Sequence, residues 1–289
     1  MKSEDILNKD TLRPRNTSAE VLAKEEEKGD GKPQSGNFFG LEWDKPGSSS
    51  PWPTFDQFPE HLRVGPWSYS ACIFLVAFVG FVVLSASWAY DDLSKLRDAA
   101  PASFQIRMLH GAGAVYMTAI IAYTVKNTGL WPFVSYTAIS YGLLTLRFGF
   151  ICLGLQAAAE ILRFPVVAMA TVTSTVWWLV LFPIILAAAA AEHRRAFLRM
   201  NFSVFLLNMH LFNLPMALAS QWSYSRALCF LDFWVAAVVA MLYLFFYLLV
   251  MDANGLHLYI ILSPRPWWCI VSYCGILLLY AQLHRFFGS

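Results

Sequence analysis

Seven long apolar runs, separated by short polar connections, dominate residues 67–289. They cover 67–90, 104–125, 132–157, 164–191, 198–219, 227–251 and 266–287. A helix that crosses a bilayer needs roughly 20 apolar residues, and each run is long enough. None shows the period-two alternation of a membrane β-strand. In lipid every backbone polar group needs an internal partner, so helices must do the spanning. The pattern predicts an all-α, polytopic transmembrane helix bundle of about seven spans. Pro132 and Pro165 fall in the first turn of their runs, where a missing N–H is tolerated. Pro183 and Pro215 fall inside runs, where kinks are expected. No internal repeat is visible, which weakens a repeat-built transporter.

Residues 1–66 read differently. They hold nine Lys/Arg against twelve Asp/Glu, net −3, and the stretch from Glu25 to Pro53 is rich in Glu, Lys, Gly, Ser and Pro. Such a segment buries too little apolar surface to offset ordering, so 1–66 is expected to be a disordered polar tail ahead of a membrane domain over 67–289. Trp52, Phe55, Phe58 and Trp67 stand before the first run, as an interfacial aromatic belt would.

Composition agrees: 57% of residues are hydrophobic and 14% charged, against about 25% charged in soluble domains. The overall charge of +2 gives no reason to expect nucleic acid. The five cysteines lie in apolar runs without a C-x-x-C pair, so neither a disulfide framework nor a zinc site is expected. The first fifteen residues lack the apolar core of a secretory signal. Near-membrane Lys and Arg are balanced six to six between the two sides, so the charged tail alone points to a cytosolic N-terminus. Endoplasmic reticulum or plasma membrane are the default locations.

Ionisable residues inside spans are functional hypotheses by default. Arg147 and Asp232 approach the same membrane side and are expected to form a structural ion pair. His110 is expected to reach the interface. His210 is the most suggestive. Asn213 lies at i+3 on its face, Asn208 precedes it, and Pro215 cannot donate to the carbonyl of Leu211. The third run carries Thr137, Ser140, Tyr141 and Thr145 on one face, which alone reads as helix-packing glue. Runs three and five enter from one side, with Thr137 about five residues deep and His210 about twelve, a gap on the order of 10 Å. A hydroxyl beside a histidine begins a nucleophile–base arrangement. His257, in the last loop, lies on the same side.

These features resemble the androgen-induced membrane hydrolases, with rolling-stone proteins as distant relatives. Phe133 precedes Tyr136-Thr137 at the head of a span, as before that family's nucleophilic threonine. Met209-His210 is followed by Leu214-Pro215. Gly255-Leu256-His257-Leu258-Tyr259 follows a long aromatic run. The likeness runs from about Leu130 to the C-terminus, within a family-like part of about 104–289. Leu206, Leu207, Leu211 and Ile260 depart from the family pattern, and the tail and first span have no counterpart in its short members.

The resemblance implies a threonine hydrolase that cleaves fatty acid esters of hydroxy fatty acids, with Thr137 as nucleophile and His210 as base. Asn213, Asn208 and Tyr141 are candidates for oxyanion binding or support, and His257 for an accessory role. No cofactor or metal is expected; membrane lipids and a fatty-acyl ester are the expected partners. The competing expectation is a non-enzymatic membrane protein: a transporter, a lipid-binding scaffold or a complex subunit. A third is a family member that has kept the fold and lost turnover.

Overall fold

The computed structural model describes residues 35–38, 41–44, 60–97, 101–188, 191–223 and 226–288. Contacts divide the chain into two units, 1–47 and 48–289. In the first, strands β1 (Ser35–Phe38) and β2 (Leu41–Asp44) pair antiparallel, with Ser35 opposite Asp44. The rest of the expected disordered tail lies outside the described residues up to Glu60. The helical turn Glu60–Arg63 belongs with the membrane domain, since Ser263 Oγ donates to the Leu62 carbonyl at 2.6 Å.

The second unit is the expected helix bundle. Six helices among the described residues are long and apolar enough to cross a membrane: α1 (Tyr69–Asp91), α2 (Phe104–Thr128), α3 (Tyr136–Leu153), α4 (Gln156–Ala187), α6 (Phe230–Asn254) and α7 (Cys269–Gly288). The chain is therefore compatible with a multi-pass integral membrane protein. The fifth run also forms a helix, α5 over 204–222. Asn208, His210, Asn213 and Gln221 dilute its apolar character, and it is not one of the six. A separate helix, Ala191–Asn201, precedes it.

Two helix starts differ from expectation, and both shifts matter. A 3₁₀ turn over Trp131–Val134 carries Pro132, and α3 starts only after Ser135, whose hydroxyl accepts from the Ala138 N–H at 3.2 Å. Helix α5 starts after Ser203, whose hydroxyl accepts from Leu206 N–H at 3.4 Å. Each serine satisfies an orphan donor of its first turn. Thr137 thus stands in the first turn of α3, and His210 about two turns into α5. The expected depth gap of seven residues narrows to five, about 7.5 Å along the axis.

The internal prolines are preceded by wider π-helical turns, Val176–Leu181 before Pro183 and Asn208–Phe212 before Pro215. A π turn absorbs one residue and often marks a functional position. Helices α2 and α3 pack closely because α2 presents glycines: a Cβ on Gly113 would lie 2.5 Å from the Phe148 ring, and one on Gly111 would lie 2.8 Å from Cys152 Sγ. Small residues serve this purpose in membrane bundles.

At one end of the bundle Arg226 is chelated by Asp232, with nitrogen–oxygen distances of 2.6 and 3.0 Å, and donates to Glu160 at 2.8 Å. Arg163 adds contacts to Glu160 at 3.4 Å, Gln221 at 3.1 Å and the Arg226 carbonyl at 2.6 Å. Burial alone would push the Arg226 guanidinium down, but Asp232 and Glu160 together hold it above its ordinary range. The expected Arg147–Asp232 pair is corrected here. Asp232 is taken by Arg226 and by the Cys229 N–H at 2.7 Å. Arg147, fully buried, donates to the Ala159 carbonyl at 3.1 Å and to the Ser220 hydroxyl. His110 is corrected too. It is buried rather than interfacial, with Nε2 3.1 Å from Ser220 Oγ and Nδ1 2.8 Å from the Ile106 carbonyl.

Candidate active site

At the opposite end, Thr137 Oγ1 lies 3.5 Å from His210 Nε2, and both residues are buried. The other ring nitrogen, Nδ1, lies 3.2 Å from the Leu206 carbonyl one turn earlier. A carbonyl only accepts, so in the neutral ring Nδ1 carries the proton. Nε2 is then a bare acceptor facing the threonine hydroxyl, the tautomer a general base requires. The contact is long for a hydrogen bond, as catalytic contacts often are before substrate tightens them.

Three further contacts hold His210, one on its ring and two on its backbone carbonyl. Trp177 stacks on it with centroids 4.1 Å apart and planes 23° from parallel. The His210 carbonyl accepts from Ser174 Oγ at 2.9 Å and from Trp178 Nε1 at 3.1 Å. The reason is local. In the π turn Asn213 N–H reaches back five residues to the Asn208 carbonyl, and the residue five beyond His210 is Pro215, which has no N–H. The carbonyl relevant to the site is therefore that of His210, one residue before the Leu211 carbonyl expected from α-helical spacing.

The expected supporting residues are near, with different jobs. Asn213 Nδ2 donates to Ser140 Oγ at 3.1 Å and ties α5 to α3 one turn from the pair. The Asn213 side-chain amide oxygen and the Tyr141 hydroxyl are buried with no hydrogen-bond partner among the described residues. Asn208 donates to the Val204 carbonyl at 2.8 Å and accepts from the Tyr116 hydroxyl at 2.8 Å. His257 is placed elsewhere: its Nδ1 lies 3.2 Å from Asp252.

That aspartate explains a residue not singled out from the sequence. Arg265 grips Asp252 at 2.6 and 3.0 Å, and the Trp67 indole donates to it at 3.2 Å. The cluster pins both ends of the loop between α6 and α7. Gly255 opens that loop in the left-handed region, at φ 71°, which a glycine adopts without strain. Inside the loop, the Tyr247 hydroxyl donates to the Tyr259 carbonyl at 2.9 Å. The Tyr259 phenol is brought against the Thr137 hydroxyl, the backbone of Tyr136 and Thr137, and Ser135. Burial raises this phenol above its ordinary range, and those neighbours only partly offset it. Burial thus keeps this phenol in its protonated form beside Thr137. The glycine-to-tyrosine loop was the only signal in the sequence.

No known protein-family pattern matches the chain, and neither does any characterised protein or solved structure compared with it.

Proposed function

We propose that this chain is an intramembrane lipid ester hydrolase using Thr137 as nucleophile and His210 as general base. The observation that carries the reading is the Thr137 hydroxyl facing the unprotonated nitrogen of a histidine whose other nitrogen is anchored to Leu206. Threonine alone is a poor nucleophile and needs such a base.

The Thr137 oxygen attacks the ester carbonyl while its proton passes to His210 Nε2. The tetrahedral oxyanion accepts from the Tyr259 phenol. Collapse breaks the bond to the leaving alkoxide, which takes the proton from His210. Water then repeats the sequence against the acyl-threonine, releasing the fatty acid and restoring the hydroxyl. Fatty acid esters of hydroxy fatty acids are the substrate class we assign, from the family resemblance around Thr137, His210 and the Gly255–Tyr259 loop. Membrane lipids are the surroundings, the endoplasmic reticulum or plasma membrane the setting, and the N-terminus is assigned to the cytosol.

The non-enzymatic reading draws on the buried charges at the other end. Those groups are tied into one another, Arg226 with Asp232 and Glu160, and His110 and Arg147 with Ser220. That arrangement favours a structural role over a path across the membrane.

The test is hydrolysis of a branched fatty-acyl hydroxy-fatty-acid ester by the detergent-purified full chain, beside Thr137→Ala and His210→Ala. Turnover in the wild type and its loss in both folded variants is expected. Turnover that survives both changes refutes the assignment.

A further inference from the structure

The last turns of α4 and the helix Ala191–Asn201 run back along one another. The Phe182 and Phe197 rings stack at 5.6 Å, Trp178 meets Phe202 at 6.4 Å, and the Trp177 indole donates to Asn201 at 2.8 Å. Phe197 and Asn201 are buried by these contacts. The remaining surface is of two kinds. On the α4 arm, Leu179 is 72% exposed and Ile184 60%, with Phe202 at 57% beyond the other arm. On the Ala191–Asn201 arm, Arg195 and Arg199 stand one turn apart, both exposed, and neither has an ion-pair partner among the described residues.

Exposed aliphatic side chains and unneutralised guanidinium groups, on a hairpin formed by the end of the candidate span α4 and the helix after it, match a bilayer boundary. Apolar groups enter the acyl region while cations meet headgroups. Over 176–201 the sequence has three arginines and a single acidic residue, Glu192. A soluble anion would use the arginines and leave the aliphatic surface in water. A lipid satisfies both.

We infer that this hairpin is a docking surface for anionic phospholipids, with Arg195 and Arg199 holding the headgroup phosphate and carboxylate, and Leu179 and Ile184 facing the acyl chains. Guanidinium is suited to both oxyanions through paired N–H donors. The surface is rooted beside His210 through Trp177, but the inference does not depend on the hydrolase reading.

The test is native mass spectrometry of the detergent-purified full chain, titrated with phosphatidylserine or with phosphatidylcholine. Wild type is expected to retain phosphatidylserine about tenfold more tightly, from two cations near a charged surface. Arg195→Gln with Arg199→Gln is expected to abolish the preference, and Arg195→Lys with Arg199→Lys to keep most of it. Both residues are exposed, so monodisperse elution of the variants is expected. Equal retention of the two lipids by wild type, or a preference unchanged in the glutamine variant, overturns the inference. Displacement of the lipid by millimolar inorganic phosphate would assign the site to a soluble anion, and displacement by a hexaglutamate peptide to a protein partner. Either would overturn it as well.

Discussion

Thr137 and His210 meet across 73 positions of chain, and the same offset recurs between Ser140 and Asn213 and between Arg147 and Ser220. A constant offset over three contacts means that α3 and α5 run parallel and in register along the whole bundle. A slip of one turn, about 5.4 Å, would break all three contacts together. The charged anchor at one end therefore sets the geometry of the pair at the other. Ser220→Ala removes the hydroxyl shared by Arg147 and His110. It should destabilise the chain by about 1–3 kcal/mol, the penalty for leaving buried polar groups unsatisfied. A fall in unfolding temperature in detergent checks this.

Tyr259→Phe keeps the ring and removes the phenol hydroxyl beside Thr137. If the phenol binds the oxyanion, kcat should fall by about 10²–10³ with KM little changed. Tyr247→Phe loosens the loop without touching Thr137 and should do less. Steady-state kinetics on the two variants separates donation from mere packing.

Partner choice among the buried charges is testable by coupling. A double-mutant cycle between Arg226 and Asp232 should give an interaction of at least about 1 kcal/mol, and one between Arg147 and Asp232 should fall within about 0.5 kcal/mol of additivity. Glu160→Ala, by uncovering buried guanidinium groups, should destabilise by about 3–5 kcal/mol. Thermal unfolding of the single and double variants is the readout.

Acid sensitivity should trace in part to Asp92, just past α1. Its hydrogen bond from Lys95, at 2.6 Å, holds its carboxyl below the usual range, while Asp92 holds Lys95 above its own. A depressed carboxylate contributes stability that is fully present above its unfolded pKa of about 3.9 and is lost as pH falls through the folded value. For Lys95 the sign reverses: its contribution is present below about pH 10.4 and is lost as pH rises through the folded value. Asp92→Asn should therefore lower the unfolding temperature near neutrality, and its difference from wild type should close as pH falls below about 4, which flattens the acid limb of the profile. Because Lys95 is exposed, the effect should also shrink with added salt.

Much of the fold was legible because long apolar runs leave lipid-spanning chains little choice but helix. The Thr137–His210 meeting was legible in outline, from two runs entering on one side. Its closeness was not. Starting the helices at the capping serines Ser135 and Ser203, rather than by hydrophobicity, which Pro132 and Phe202 continue, narrows the depth gap only from seven residues to five. The offset at which the two helices pack closes the rest. Those serines were readable signals. The partners of Arg147 and Asp232 were not readable: matching depth along two helices says nothing about which faces meet, and Arg226 lies only six residues before Asp232. Tyr259 escaped notice as a site residue because a loop brings it to Thr137, and the loop's course depends on Asp252, Arg265 and Trp67 from distant parts of the chain.

The most direct test is the location of covalent modification. Two buried hydroxyl–imidazole pairs lie among the described residues, Thr137 with His210 and Ser220 with His110. Treatment of the full chain with a lipid-like fluorophosphonate, followed by peptide mass spectrometry, reads out which hydroxyl is activated. The account predicts a single adduct on Thr137, lost in His210→Ala and retained in His110→Ala. An adduct on Ser220, or labelling of Thr137 that persists without His210, would contradict it.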